Sequence, residues 1–232
     1  MFDYSILSKK NDVFVQIGTN TGNDLFRQLV LKYKPKKVIL VEPLPQLISS
    51  IKHFYKGIEN ITIINKAITT GDTTTSLFIP ARDGVYGNPG VQPDRKLGNH
   101  TYDHGKFSML PMNDWGEKKH MIEVKVSGIT FEDVCKEYDI HNIDYLQIDT
   151  EGFDSEIIKS INMDDINIDI LRYEKWNFGT ECFTKYHPDN CDLYGINGMN
   201  AVKDKLLKYD YNISSIKDTS GDDYIAIKNS IN

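Results

Sequence analysis

The 232-residue sequence predicts an α/β fold of three layers, a mostly parallel sheet between helices with an antiparallel strand at its C-terminal edge. Three observations predict it. Short apolar runs alternate with stretches of helical periodicity along most of the chain, the signature of parallel strands joined by helices. The first run, Val13 to Ile17, breaks into Gly18-Thr19-Asn20-Thr21-Gly22 where a helix begins. Two closing strand candidates, Tyr211 to Ile216 and Tyr224 to Ile227, follow one another with no helix between them, which suits an antiparallel edge.

After the glycine turn, Leu25, Phe26, Leu29, Val30 and Tyr33 form one helical stripe with Asn23 or Asp24 as its cap, and Pro35 stops it. Val38 to Val41 is the second strand. Pro43 and Pro45 open a helix carrying Leu47, Ile48, Ile51, Phe54 and Tyr55, and Ile61 to Ile64 is the third strand. From about residue 80 to 115 the periodicity gives way to glycine, proline and aromatic residues, so an irregular insertion or lid is expected there. Met121 to Val126 is the next strand, and Thr130-Phe-Glu-Asp133 starts a helix through Tyr138 in the manner of a capping box. Ile143 to Asp149 is a strand, Asp154 to Ile161 a short helix, Ile166 to Tyr173 a strand, and Asn200 to Tyr209 the last helix. A chain of this length fits a single domain over residues 1–232.

Composition narrows the function classes. With 40% hydrophobic and 26% charged residues the chain is an ordinary globular one, and a net charge of -6 argues against a nucleic acid partner. Three cysteines without a C-x-x-C pair fit a reducing compartment and argue against a zinc site. No apolar stretch approaches the roughly 18 residues of a spanning helix, and the first ten residues lack a secretory pattern, so a cytoplasmic protein without membrane contact is expected.

The chemistry collects at the strand ends. Glu42 closes the second strand 24 residues after Gly18, where the acid of a nucleotide-binding βαβ unit grips ribose hydroxyls, so turn and acid together describe an adenosine site. The turn lacks the G-x-G-x-x-G spacing of a dinucleotide fingerprint. Asp149 and Glu151 stand two residues apart at the end of a later strand, in Gln147-Ile-Asp-Thr-Glu-Gly152. Either carboxylate could act as a base, as could His100 or His104 of the irregular segment, or His120 and His187. Asp149, Glu151 and Glu174 could bridge a divalent ion, although no tight ligand motif favours one. Tyr86, Tyr102, Phe107, Trp115 and Trp176 offer rings for stacking on a sugar.

Gln16-Ile-Gly-Thr-Asn-Thr-Gly22, Val41-Glu-Pro43 and Gln147-Ile-Asp-Thr-Glu-Gly152 stand in the order and approximate spacing of the FkbM-type methyltransferases. Asn65-Lys-Ala67 and Leu171-Arg-Tyr-Glu174 extend the resemblance, which covers about residues 13–175. It implies the three-layer Rossmann-like class I methyltransferase fold and S-adenosylmethionine as cofactor. It also implies that Gln16, Gly18, Thr19, Asn20 and Gly22 lie on the methionine side, with Asp149 as a further contact, Glu42 on the ribose and Ala67 near adenine. The acceptor it implies is a sugar or another small hydroxyl-bearing metabolite, as free molecule or glycan, and the reaction an O-methylation. Two departures stand out: Gln16 replaces an acid of the family motif and Gln147 a lysine. Two other readings stay open, a catalytically silent scaffold that binds a nucleoside or protein partner and a nicotinamide-dependent oxidoreductase.

Overall fold

A computed structural model describes residues 2–80, 96–97, 100–101, 108–109, 121–175, 195–218 and 221–231. A short 3-10 helix, Tyr4–Ser8, precedes β1 (Val13–Ile17), α1 (Leu25–Tyr33), β2 (Lys37–Val41), α2 (Pro45–Phe54) and β3 (Ile61–Ile64). Then come β4 (Ala67–Thr69), β5 (Thr74–Pro80), and the two-residue strands β6 (Lys96–Leu97) and β7 (His100–Thr101). The chain continues through β8 (Met121–Thr130), α3 (Phe131–Glu137), β9 (Asn142–Ile148), α4 (Asp154–Ser160), β10 (Asn167–Glu174), α5 (Ile196–Lys208), β11 (Tyr211–Asp218) and β12 (Gly221–Lys228).

Seven strands form the central sheet in the order β11-β12-β10-β9-β1-β2-β3. The five from β10 to β3 run parallel, and β12 and β11 close the sheet antiparallel, as the sequence predicts. Alternation along the strands divides the core into two layers. Val15, Ile17, Ile39, Val41, Leu146 and Ile148 pack with Val134 of α3, Ile157 and Ile158 of α4, and Val202 and Leu206 of α5. Phe14, Val38, Leu40 and Tyr145 face the other way, against Phe26, Leu29 and Val30 of α1 and Ile51 of α2. The first three α-helices are started by residues suited to them: Asp24 accepts the Arg27 N–H, Pro45 opens α2, and Thr130 accepts the Asp133 N–H.

A second sheet, β4-β8-β5, is not foreseen from sequence. The strand expected to end at Val126 runs on to Thr130, because β5 pairs antiparallel with residues 121–127 and β4 parallel with Gly128–Thr130. Gly128 is what lets the chain pass there, since a Cβ would fall 2.3 Å from the Asp72 carbonyl oxygen. The sheet presents Ala67, Ile68 and Leu77 toward the carboxyl ends of the central strands.

Behind the sheet, Arg172 is 1% exposed and holds three elements together. It donates from Nε to Asp223 at 2.6 Å and from Nη1 to the Tyr4 hydroxyl at 2.6 Å, so β10 is tied to β12 and to the N-terminal turn. A guanidinium this deep is tolerable only when paired in this way.

Candidate active site

The chain leaves β1 for β2 and β3 on one side and returns to β9 on the other, so the carboxyl end of β1 is a topological switch point. A cleft opens there. It encloses about 630 Å³ including the solvent at its mouth, within the range of small-molecule sites. Ile17 and Gly18 at the end of β1, Val41, Glu42 and Pro43 at the end of β2, and Asp149, Thr150 and Glu151 just after β9 form one wall. Ala67, Ile68, Leu77 and Met109 face them, and Asn20 completes the lining.

Glu42 is 3% exposed, yet both its oxygens are used. Oε2 accepts the Asn20 N–H at 2.7 Å and Oε1 the Leu44 N–H at 2.9 Å, so the acid fastens the glycine turn to the end of β2. Asn20 meets it from a left-handed conformation, φ 53°, and the Thr19 N–H and hydroxyl both donate to the Val41 carbonyl. Burial outweighs these two donors and pushes the Glu42 carboxyl up to about 7. Each oxygen keeps a lone pair with which to accept from a ligand hydroxyl.

That displacement sets a pH dependence. The native state holds a proton on Glu42 that the unfolded chain, with an ordinary carboxyl near 4.5, has already released. The stability this group contributes is present at acid pH and is lost as pH rises through about 7. Without ligand, the chain is expected to lose roughly 2 kcal/mol from Glu42 between pH 5.5 and 8, and Glu42→Gln to remove that part of the slope. Urea unfolding at the two pH values measures it, and an identical slope in the variant would refute the assignment.

Asp149 follows β9 and stands open to the cleft while protein atoms crowd it on every other side. Burial first, then the charges of Glu151, Asp154, Asp223 and Asp24, hold its carboxyl well above the ordinary range. The turn behind it is built on Asp154, whose Oδ1 accepts the Thr150 N–H at 2.8 Å and whose Oδ2 accepts the Glu174 N–H at 3.2 Å. Glu151 adopts φ 54°, and its carbonyl accepts the Ser108 hydroxyl at 2.7 Å. Ser108 also exchanges backbone bonds with Phe78, which places Met109 at the cleft.

Of the residues singled out from sequence, Gly18, Asn20, Glu42, Ala67, Asp149 and Glu151 are brought to one cleft. Gln16, Thr19 and Gly22 are not on its lining. Gln16 and Thr19 are each 1% exposed, and Gly22 packs against Tyr55 and Ile51, so all three support the turn from behind. Glu174 gives its N–H to Asp154 at the end of β10, and among the described residues no three His, Cys, Asp or Glu side chains are placed to hold a metal ion. His104, His120, His187, Tyr86, Tyr102, Phe107, Trp115 and Trp176 lie outside the described residues, as does the His100 side chain, whose backbone pairs in β7. Sequence reasoning missed Pro43, Ile68, Leu77 and Met109. The Glu42-Pro43 pair was the one signal for them.

The Methyltransferase FkbM domain matches residues 16–212. No curated protein sequence matches the chain. Among solved structures it is similar to the methyltransferase FkbM of Methylobacillus flagellatus KT, at 12% identity and a TM-score of 0.50, over 94% of this chain but 44% of that one. It is also similar to a precorrin-6y C5,15-methyltransferase of Geobacter metallireducens GS-15, at 12% identity and a TM-score of 0.46, over 97% of this chain and 84% of that one. A third is the TrmK of M. capricolum in complex with S-adenosyl-homocysteine, at 13% identity and a TM-score of 0.43, over 99% of this chain and 70% of that one. No helix among the described residues is long and apolar enough to cross a membrane. With the domain match spanning most of its length and Gly18, Asn20, Glu42, Asp149 and Glu151 of its motifs lining one cleft, the chain belongs to the FkbM-type methyltransferase family, whose methyl donor is S-adenosylmethionine.

Proposed function

We propose that the chain is an O-methyltransferase whose acceptor is a hydroxyl of a sugar or of another small metabolite. The observation that carries the proposal is the meeting of Glu42 with Asp149 and Glu151 in one cleft, an acid suited to a ribose diol beside two suited to an acceptor hydroxyl. The lining fits an adenosine. Glu42 supplies acceptors for ribose hydroxyls, and Val41, Pro43, Ala67, Ile68 and Leu77 supply apolar walls for the adenine. When bound, S-adenosylmethionine supplies a methyl group on a sulfonium.

The chain's own residues have then to orient the acceptor and take its proton. Asp149, whose carboxyl is raised by burial and by neighbouring carboxylates, is suited to be the proton acceptor, and Glu151 on the same rim to orient the hydroxyl. Ser108 and Met109 reach this rim, and the rest of the segment expected to cover the acceptor lies outside the described residues. The net charge of -6 supports a small or glycan acceptor over a nucleic acid, and three cysteines without a C-x-x-C pair support a cytoplasmic setting.

The test is conversion of S-adenosylmethionine to S-adenosylhomocysteine with a panel of sugars, nucleotide sugars and small hydroxylated metabolites. Acceptor-dependent conversion with methyl recovered on oxygen is expected. Binding of the cofactor with no conversion by any acceptor would favour the silent scaffold, and binding of NAD in its place would favour the oxidoreductase.

A further inference from the structure

A buried polar pair flanks the glycine turn and has no part in the proposal above. Gln16 lies two residues before Gly18 and Asp24 two residues after Gly22, and the Gln16 amide nitrogen donates to Oδ2 of Asp24. Asp24 Oδ1 meanwhile takes the Arg27 N–H at 3.0 Å, the ordinary cap of α1. Capping needs one oxygen and no glutamine.

The pairing fixes the Gln16 carboxamide, because the opposite orientation would set its oxygen against the carboxylate. Oε1 is left buried without a donor, in a side chain only 1% exposed. A buried acceptor in this state calls for a donor that arrives with a ligand or a water. Asp24 is likewise short of a counter-charge. Arg27 gives its Nε to the Phe54 carbonyl at 2.8 Å, and Arg172, whose charge reaches Asp24, is paired with Asp223, so among the described residues no cation forms an ion pair with Asp24. Burial raises the Asp24 carboxyl as a result, and its field in turn helps to raise the Tyr55 hydroxyl, a buried group that also lacks a partner.

An acceptor without a donor beside a carboxylate without a direct ion pair among the described residues is the complement of an ammonium group. S-adenosylmethionine carries one on its amino-acid end. A cofactor whose ribose met Glu42 would bring that end to the turn whose Gly18 and Asn20 line the cleft, and Gln16 and Asp24 stand behind that lining on either side of the turn. We propose that Asp24, oriented by Gln16, reads the α-ammonium of the cofactor, so that the negative charge absent at position 16 is supplied eight residues further on. The proposal rests on S-adenosylmethionine being the ligand of the cleft. It makes Asp24 a specificity residue of the cofactor site as well as a helix cap.

Calorimetry on the full chain separates the two roles with two ligands. S-adenosylhomocysteine carries the ammonium; 5′-methylthioadenosine keeps the nucleoside and the thioether but lacks the amino-acid end. Asp24→Asn is expected to weaken S-adenosylhomocysteine about 10- to 100-fold, the range for losing a charge-assisted hydrogen bond, and to leave methylthioadenosine within about twofold. The double variant Q16E/D24N, which moves the charge back, is expected to restore the preference. Should D24N fail to fold, Asp24→Ser keeps a capping hydroxyl without charge and carries the same expectation. An unchanged preference between the two ligands, or an equal loss of both, would leave Asp24 as a cap alone and overturn the proposal. A parent chain that binds neither ligand would instead overturn the cofactor assignment itself, and this inference with it.

Discussion

Gly18→Ala is expected to destabilise the chain by roughly 3–5 kcal/mol, the sum of left-handed backbone strain and an unrelievable overlap. Gly18 sits at φ +83°, and a Cβ added to it would lie 1.8 Å from the Asp149 carbonyl oxygen and 2.8 Å from its carbon. Both are backbone atoms, so no side chain can rotate away. Relief has to come from separating β1 from the end of β9, where the Asp149 N–H donates to the Ile17 carbonyl at 3.0 Å. The same movement would carry Asp149 out of the cleft, so stability and turnover fall together. Gly57 is the internal control: its φ is +81°, but nothing lies within 4 Å of an added Cβ. Gly57→Ala is expected to cost only about 1 kcal/mol, the strain without the overlap. Chemical unfolding of both variants checks this, and equal losses would show that the close approach of β1 to β9 is not what requires glycine.

Asp149→Asn and Glu151→Gln are each expected to lower turnover by about 10²–10⁴-fold, the range for removal of a general base or of a group that positions its substrate. Neither change is expected to cost much stability. Asp149 stands open to the cleft, and its raised carboxyl shows that the fold tolerates the charge poorly. Amide replacement therefore keeps the shape and relieves crowding with Glu151 and Asp154. The pH profile divides the roles. Because Asp149 must lose its proton to act as base, parent turnover should rise with pH as Asp149 ionises, and Asp149→Asn should abolish that limb. Single-turnover methylation measured beside thermal unfolding decides it. Parent-like rates in both variants would place the base elsewhere, and His100 and His104 would be the next residues to change.

Much of this was legible in the sequence because burial of both faces writes itself as continuous apolar runs. β1, β2, β9 and β10 read correctly for that reason, each being almost wholly buried. Helix starts were legible where a cap or proline marks them, as at Asp24, Pro45 and Thr130. The first turn of α5 was not, because Asn197, Gly198 and Asn200 interrupt the apolar stripe before Val202. β5 was missed because it is polar at its start and its partner in β8 lies some 40 residues away, so no local pattern reports the pairing. In the cleft, residues that act through backbone geometry and charge, such as Gly18, Glu42 and Asp149, declared themselves by type and spacing. Ile68, Leu77 and Met109 did not, since an apolar side chain reads the same in a cleft wall as in a core.

The most direct test of an adenosine cofactor at the β1 switch point is calorimetric titration of S-adenosylhomocysteine into the parent chain and into Glu42→Ala. The parent is expected to bind, and the variant to bind more weakly by roughly 1–3 kcal/mol, the range for losing charged hydrogen bonds to the ribose hydroxyls. Equal affinity in a folded Glu42→Ala variant would remove Glu42 from the site and contradict the account.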